Sequence, residues 1–332
     1  LAALNDLDVL SADVQEACLN AQTKEKVYTI AGLEFGADKV GRPVLINRAL
    51  YGLKSSGARW RDHMAATLRE ANFVSCKGDP DVWMRPNVKP NGDKYWEYVL
   101  CYVDDILCVS NEPQTVMDYL ASRYTLKKGS VKEPDVYLGA EVKKWTIEGA
   151  DNLTKVCWAM LSDLYVNRAV TEVERNLDEI GERLSTKVST PMSQGYCPEV
   201  DTTPELDAKR ANCFQGLVCA MPWICELGRI DMILVDVAML SRFLAAPRRG
   251  HLDQVFHIFA YLKRYNRSSM VFDETQPLLD ESRFHKCDWS EYYPGACEAV
   301  PPDAPEVRGQ SVLMSCFVNA DHASCRLQGA CI

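Results

Sequence analysis

The sequence contains no Cys-x-x-Cys pair among its fourteen cysteines, which excludes zinc ribbons and zinc knuckles. It has no apolar run approaching the ~18 residues that a membrane-spanning helix needs. The first residues, Leu1-Ala2-Ala3-Leu4-Asn5-Asp6, hold no basic stretch, so no secretory signal is read there. An excess of positive charge is missing too. The net charge is −9, which runs against a protein whose whole surface neutralises phosphate. Cysteine is too dilute for a small disulfide scaffold, so the thiols are expected to be mostly buried and free, in a reducing compartment. The start also lacks a methionine and opens in an apolar-rich segment, which reads as an excerpt from a longer polypeptide.

What is present is ordinary globular material: 332 residues, 47% hydrophobic and 25% charged. That suggests roughly two domains of ~150 residues, with enough apolar content for a core. Basic residues gather in two places. One is Lys127, Lys128, Lys132, Lys143 and Lys144; the other is Arg248, Arg249, His251, Lys263, Arg264 and Arg267. Without a motif, such runs read as solvated surface.

Periodicity predicts a strand from Leu7 to Val14 and another from Val44 to Leu50. A helix is expected over Ala58 to Ala71, with Trp60, Met64, Leu68 and Ala71 on one stripe. Asp79-Pro80-Asp81 marks a turn before a strand starting at Val82-Trp83-Met84, and Pro86 to Asp93 reads as a polar loop with Asn91-Gly92 as a hairpin signal. Tyr95 to Val103 and Ile106 to Val109 are β-prone, separated only by Asp104-Asp105, which predicts a two-residue hairpin with carboxylates in its turn. Glu112-Pro113 opens a helix to about Arg123, and Val136 to Trp145 is a further strand. A long amphipathic helix is expected from Met160 to Leu184, including Ile180. Further helices are expected over Leu206 to Leu244 and Leu252 to Tyr265, separated by Pro247-Arg248-Arg249-Gly250. Thr190-Pro191 to Pro204 is a polar connector and the strongest sequence signal for a domain boundary. Gln276 to Pro305 reads as loop-rich and Val312 to Val318 as a last strand.

Nucleotide polymerisation needs two magnesium ions, one at the primer 3′-hydroxyl and one at the triphosphate. Magnesium takes hard oxygen ligands in octahedral geometry. One Asp at a strand end and a pair in an adjacent hairpin supply them, and Asp13 with Asp104 and Asp105 fits that requirement. Singly, each has a plainer reading. Asp-Asp between strands is a solvated turn, and a lone Asp is a helix cap or a surface group.

Read together with their surroundings, these residues resemble the reverse transcriptases of Ty1/copia-type retrotransposons. Asp13-Val14-Gln15-Glu16-Ala17-Cys18-Leu19 resembles the first palm motif of that family. The run Ala49-Leu50-Tyr51-Gly52-Leu53-Lys54-Ser55-Ser56-Gly57-Ala58-Arg59-Trp60 resembles its template-grip motif. Tyr102-Val103-Asp104-Asp105 matches its catalytic hairpin. Tyr137-Leu138-Gly139 followed by Glu141-Val142 is similar to the next motif. Glu226-Leu227-Gly228-Arg229-Ile230-Asp231 and Tyr261-Leu262-Lys263 resemble the region after it. The resemblance runs from about Leu4 to Arg326.

The resemblance implies an α+β fold: a palm with partial fingers over 1–150, an antiparallel sheet with packed helices. A largely helical thumb or connection region over 151–275 would follow. The remainder, 276–332, would be a linker and the first strand of an RNase H-like domain. It implies RNA-directed DNA polymerase activity on an RNA/DNA template-primer and dNTPs. Asp13, Asp104 and Asp105, with the Val14 carbonyl, would hold two Mg²⁺ ions, Mn²⁺ being an alternative. Tyr51, Gly52 and Lys54 would lie near the nucleotide, with Gly52 permitting close backbone approach, and Tyr102 would touch the primer end. Integrase and capsid products of the same polyprotein would be partners, with no membrane involved, in cytoplasmic virus-like particles and the nucleus.

Three departures from the family pattern stand out. Cys18 replaces the bulky aromatic that blocks a ribonucleotide 2′-hydroxyl, which predicts weak sugar discrimination or a decayed enzyme. The basic fingers segment that grips the triphosphate is not in the sequence, which begins beyond it. In Phe317-Val318-Asn319-Ala320-Asp321-His322-Ala323, Asn319 stands where the nuclease's first acid belongs, so Asp321 alone predicts no RNase H activity. The alternative reading is therefore an inactive, truncated retroelement remnant that at most binds nucleic acid. An unrelated acidic binding protein with a chance Asp-Asp turn is the third.

Overall fold

Alternating buried and open positions along two neighbouring strands build the centre of the fold. The computed structural model describes residues 1–148, 154–178, 181–229, 234–273, 289–295 and 301–311. The chain divides into two compact units, one of 1–133 with the later segments 289–295 and 301–311, and the other of 134–272.

The first unit contains β1 (Asp8–Asp13), β2 (Tyr28–Ile30), β3 (Pro43–Leu45) and α1 (Ser56–Glu70). These are followed by β4 (Val74–Ser75), β5 (Val82–Val88), β6 (Lys94–Tyr102), β7 (Asp105–Ser110) and α2 (Pro113–Arg123). Its main sheet is antiparallel, in the order β1-β7-β6-β5-β4. Along β7, Ile106, Cys108 and Ser110 are buried while Asp105, Leu107 and Val109 are not, the period-2 pattern of a sheet with one covered face. Trp60, Met64 and Leu68, spaced by four on α1, pack on that face with Val116, Met117 and Leu120 of α2. Each such fully buried side chain contributes about 1.5–3 kcal/mol. Pro113 starts α2, where its missing N–H costs nothing.

Two expected elements changed length here. The strand expected over Val44 to Leu50 is only Pro43–Leu45, paired with Tyr28–Ile30 in a separate two-stranded ribbon. The polar loop expected from Pro86 shrinks to the turn at Lys89 to Asp93, because β5 runs on to Val88. Pro86 is tolerated there because β4 reaches only Trp83 and Met84, leaving that side of β5 without a strand partner.

The second unit contains β8 (Val136–Tyr137), β9 (Ala140–Glu148), β10 (Thr154–Leu161), α3 (Asp163–Asp178), α4 (Ala208–Glu226), α5 (Leu234–Ser241), α6 (Arg249–Arg264) and β11 (Ser269–Phe272). Its sheet runs β11-β10-β9-β8, all antiparallel. Val166, Val170, Val173 and Leu177 form the buried stripe of α3, within one core with Phe214, Val218 and Met221 of α4 and Val255, Ile258 and Phe259 of α6.

Three expectations are corrected in this unit. Val136 to Trp145 is not one strand but a hairpin, because Leu138 (φ 51°) and Gly139 (φ 87°) both take positive φ and pair Tyr137 with Ala140. That is the conformation of a type I′ turn. The helix expected from Met160 starts at Asp163, and Met160 and Leu161 are strand residues paired with Val142 and Glu141. The run Val156 to Leu161 alternates large and small apolar residues, and cross-strand pairing decided the ambiguity. The helix expected over Leu206 to Leu244 is interrupted after Glu226, where Gly228 takes φ 107°.

The Thr190 to Pro204 connector lies inside the second unit rather than between units. The Ser193 N–H donates to Gln254 Oε1 (3.1 Å) and the buried His251 ring bonds the Pro198 carbonyl (3.0 Å). Ile180, Ile230, Asp231 and the segment 312–332, with the expected last strand, Asn319 and Asp321, lie outside the described residues. Among the described residues no helix is long and apolar enough to cross a membrane.

Candidate active site

In the first unit, β1 and β7 bring Asp13 opposite Asp105 as register partners. The backbone of Asp13 points away from β7: its N–H donates to Ser130 Oγ (3.1 Å) and its carbonyl accepts from Lys127 N–H (2.8 Å). On its other side the Val14 N–H donates to the Asp104 carbonyl (2.8 Å). Asp13 and Asp105 therefore form a non-hydrogen-bonded cross-strand pair, the geometry that brings facing side chains closest, with Cα atoms about 4.5 Å apart. Like charges in that position repel. The arrangement is a poor choice for folding and a good one for gathering carboxylates.

The hairpin turn differs from expectation by one residue. Tyr102 pairs directly with Asp105, so the two turn residues are Val103 and Asp104, and Asp105 begins β7. Val103 takes φ 53°, a strained conformation for a β-branched residue. Its carbonyl accepts a hydrogen bond of 2.5 Å from the Trp60 indole N–H. Trp60 is itself buried and set edge-on to Tyr124.

Burial raises the Asp105 carboxyl above the usual carboxylate range. Asp104 and then Asp13 add to the shift, and Lys127 opposes it. Lys127 Nζ lies 2.9 Å from Asp13 Oδ2, and this bond, with the charge of Asp13 next, raises the lysine. Sequence reading placed Lys127 only in a surface cluster, since nothing local signals a partner so distant in the chain. Asp13, Asp104 and Asp105 are thus electrostatically coupled. Among the described residues, however, no group of three His, Cys, Asp or Glu side chains is close enough to hold a metal ion as it stands.

The expected nucleotide-side residues gather at the same edge in part. Cys18 is buried in a short 3₁₀ turn, Ala17–Asn20. Burial raises its thiol, the neighbouring Tyr51 hydroxyl opposes that shift, and the charge of Asp104 adds to it. Burial also raises Tyr51, which neighbours Cys18 and feels Asp104. Gly52 takes φ 93° with open space around it, so glycine is required there by conformation. Ser56 Oγ donates to the Leu50 carbonyl (2.6 Å), tying this loop to the start of α1. Lys54 is exposed, and Tyr102 is half exposed beside Asp105. A cavity of about 250 Å³ borders Tyr102 and Val103 and is backed by Trp60, Met64 and Trp83.

The first basic cluster is divided between the two units, and the second is not a plain run of solvated cations. Lys127, Lys128 and Lys132 belong to the first unit, while Lys143 and Lys144 belong to the second. In the other cluster His251 is buried, Arg264 donates to the Val188 carbonyl, Lys263 bonds Glu174, and Arg248 donates to the Thr203 carbonyl.

The profile of the reverse transcriptase (RNA-dependent DNA polymerase) family matches residues 1–172. A putative transposon Ty5-1 protein of Saccharomyces cerevisiae is 27% identical over 262 residues, covering 78% of this chain and 76% of that protein. The retrovirus-related Pol polyprotein from transposon TNT 1-94 of Nicotiana tabacum is 25% identical over 84% of this chain but only 20% of the polyprotein. The yeast transposon Ty1-BL Gag-Pol polyprotein is 22% identical over 84% of the chain and 15% of its own length. Because the family match covers just over half of the chain, the protein belongs to the reverse transcriptase family, among its Ty1/copia-type retrotransposon members.

Proposed function

We propose that this chain carries the catalytic centre of an RNA-directed DNA polymerase, with the first unit as its palm and partial fingers and the second unit, helices with a small antiparallel sheet, as its thumb or connection region. One observation carries the reading. Asp13 and Asp105 face each other in a close cross-strand pair with Asp104 in the adjoining turn, an arrangement that disfavours folding unless a cation uses it. The donor set suits Mg²⁺ or Mn²⁺: Asp13, Asp104, Asp105 and the Val14 carbonyl are all hard oxygens. When bound, such ions supply the positive charge that activates a primer 3′-hydroxyl and neutralises a triphosphate.

The residues of the chain do the positioning. The Asp13 carboxylate must leave Lys127 to act as a ligand, which frees the Lys127 ammonium for a phosphate group. The open surface above Gly52 admits a nucleotide or template strand against the backbone, beside Tyr51 and Lys54. Tyr102, exposed next to Asp105, supports a primer end. Cys18 lies under the same edge, and its small side chain leaves room for a ribose 2′-hydroxyl. The template-primer, the dNTPs, the integrase and capsid partners and the cytoplasmic particle with nuclear passage belong to this proposal.

The other reading, an inactive remnant that at most binds nucleic acid, is favoured by the Lys127–Asp13 ion pair and by Cys18. Primer extension on an RNA template with Mg²⁺ or Mn²⁺ separates them. The polymerase reading expects extension by the wild type and none by Asp104→Asn. An inert wild type supports the remnant, and extension that survives Asp104→Asn removes the site assignment.

A further inference from the structure

We infer that Trp60 is a positioning residue of the carboxylate hairpin: its buried indole N–H holds the strained Val103 turn, and so fixes where Asp104 and Asp105 stand. The inference rests on the metal-centre reading of those carboxylates and extends it to a residue that touches neither substrate nor metal.

Three observations converge. Val103, a β-branched residue, occupies positive φ (53°), which persists only where the surroundings over-determine it. The Trp60 Nε1–H donates to the Val103 carbonyl at 2.5 Å, a part-buried bond from a buried indole to an exposed turn residue. Trp60 is 2% exposed and cannot swing away, because it stands on the α1 stripe between Tyr124, edge-on at 5.3 Å, and the core. The turn residues themselves offer little else to hold them. The Asp104 carbonyl accepts from Val14 N–H, and Tyr102 pairs with Asp105; the Val103 carbonyl is fixed by the indole.

The placement has a functional consequence. Trp60 lies one turn inside α1, whose start is tied through Ser56 to the Leu50 carbonyl beside Tyr51 and Gly52. The segment proposed to face the nucleotide and the turn that carries Asp104 are therefore attached to one helix. A shift of the α1 start reaches the carboxylates through a single hydrogen bond. Outer partners that orient ligands typically change metal affinity by about 10–100-fold when removed.

The test replaces the indole N–H without changing shape, by placing 3-benzothienylalanine at position 60, with Trp60→Phe as the genetically simple variant. Mn²⁺ affinity is measured by paramagnetic resonance of the free ion, and backbone hydrogen exchange is followed at Val103 to Ile106 in metal-free protein. Met64→Ala, on the same stripe without a bond to the turn, controls for lost packing, and Asp104→Asn defines the specific site. The expected result is Mn²⁺ binding weakened about tenfold or more with faster exchange at the turn, while Met64→Ala leaves the affinity of the folded protein unchanged. In a Val103→Gly background, where positive φ carries no strain, removing the N–H is expected to cost much less. If Mn²⁺ binds the wild type through Asp104 and the benzothienyl variant binds equally well, Trp60 has no positioning role. If the wild type shows no Asp104-dependent binding, the metal-centre reading fails instead. Turn exchange then still decides whether Trp60 holds the hairpin, and unchanged exchange overturns that too.

Discussion

The main sheet of the first unit carries two kinds of carboxylate on neighbouring strands. Glu97, in the middle of β6, is 1% exposed and fully partnered. Arg85 donates to its Oε2 through Nε (2.8 Å) and Nη2 (2.5 Å), and Ser110 Oγ donates to Oε1 (2.6 Å). Arg85 also caps the Ala71 carbonyl (2.8 Å) and lies over the Phe73 ring. At the end of the same hairpin, Asp104 and Asp105 have each other and Asp13, and Lys127 opposes their charge through its ion pair with Asp13. A buried charge is tolerated when its oxygens are all satisfied. Carboxylates gathered without such partners indicate selection for something other than stability. The first arrangement ties β5, β6 and β7 together; the second is the one proposed to take a metal.

The contrast is testable by substitutions that exchange the two behaviours. The largest effect is expected at the turn: Asp104→Asn should lower single-nucleotide incorporation by at least about 10³-fold, of the order seen when a member of a catalytic unit is removed, with the melting temperature nearly unchanged. Glu97→Ala should do the reverse. Leaving Arg85 unpaired in the sheet is expected to cost about 3 kcal/mol in urea unfolding, with activity lost only in proportion to unfolded protein. An activity loss at Glu97 without loss of stability would break the comparison.

A third change sharpens the site. Cys18→Tyr should raise the preference for dNTP over rNTP by about tenfold or more, the scale of a clash worth at least 1.4 kcal/mol. An unchanged ratio removes the sugar-discrimination reading. The smallest effect concerns pH. Asp105 is raised in the folded protein, so between the unfolded carboxylate value and the raised one the folded state binds more protons than the unfolded state. Stability should therefore fall as pH rises through that window and stay lower above it. Without divalent metal, Asp105→Asn should melt slightly higher than wild type at neutral pH and lose that slope; a lower melting temperature would contradict the like-charge argument.

Much of this was legible in the residues, for physical reasons that differ by element. The strands flanking Asp104 and the α1 stripe of Trp60, Met64 and Leu68 were readable because one face is buried and the period shows it. The carboxylate trio was readable because three motifs fall in order along the chain. The turn was misplaced by one residue because its register follows from the Tyr102–Asp105 pair, and an Asp-Asp dipeptide between β runs draws attention to the wrong centre. Met160 and Leu161 were taken as the start of a helix because a short apolar run carries no decisive period, and only β9 beside them settles the matter. Lys127, and the Trp60 bond to Val103, were invisible because they join positions far apart in sequence. His251 was counted with surface cations, yet it is buried with Nδ1 accepting from Arg248 N–H (3.0 Å) and Nε2 bonded to the Pro198 carbonyl.

The central claim is that the facing pair Asp13 and Asp105, with Asp104, is a catalytic metal centre. Incorporation of one nucleotide onto a DNA primer annealed to RNA, in Mg²⁺ and in Mn²⁺, tests it most directly, comparing wild type with Asp13→Asn at matched folded fraction. The account predicts incorporation by the wild type and essentially none by Asp13→Asn. Equal incorporation by both, or none by the wild type in either metal, would contradict it.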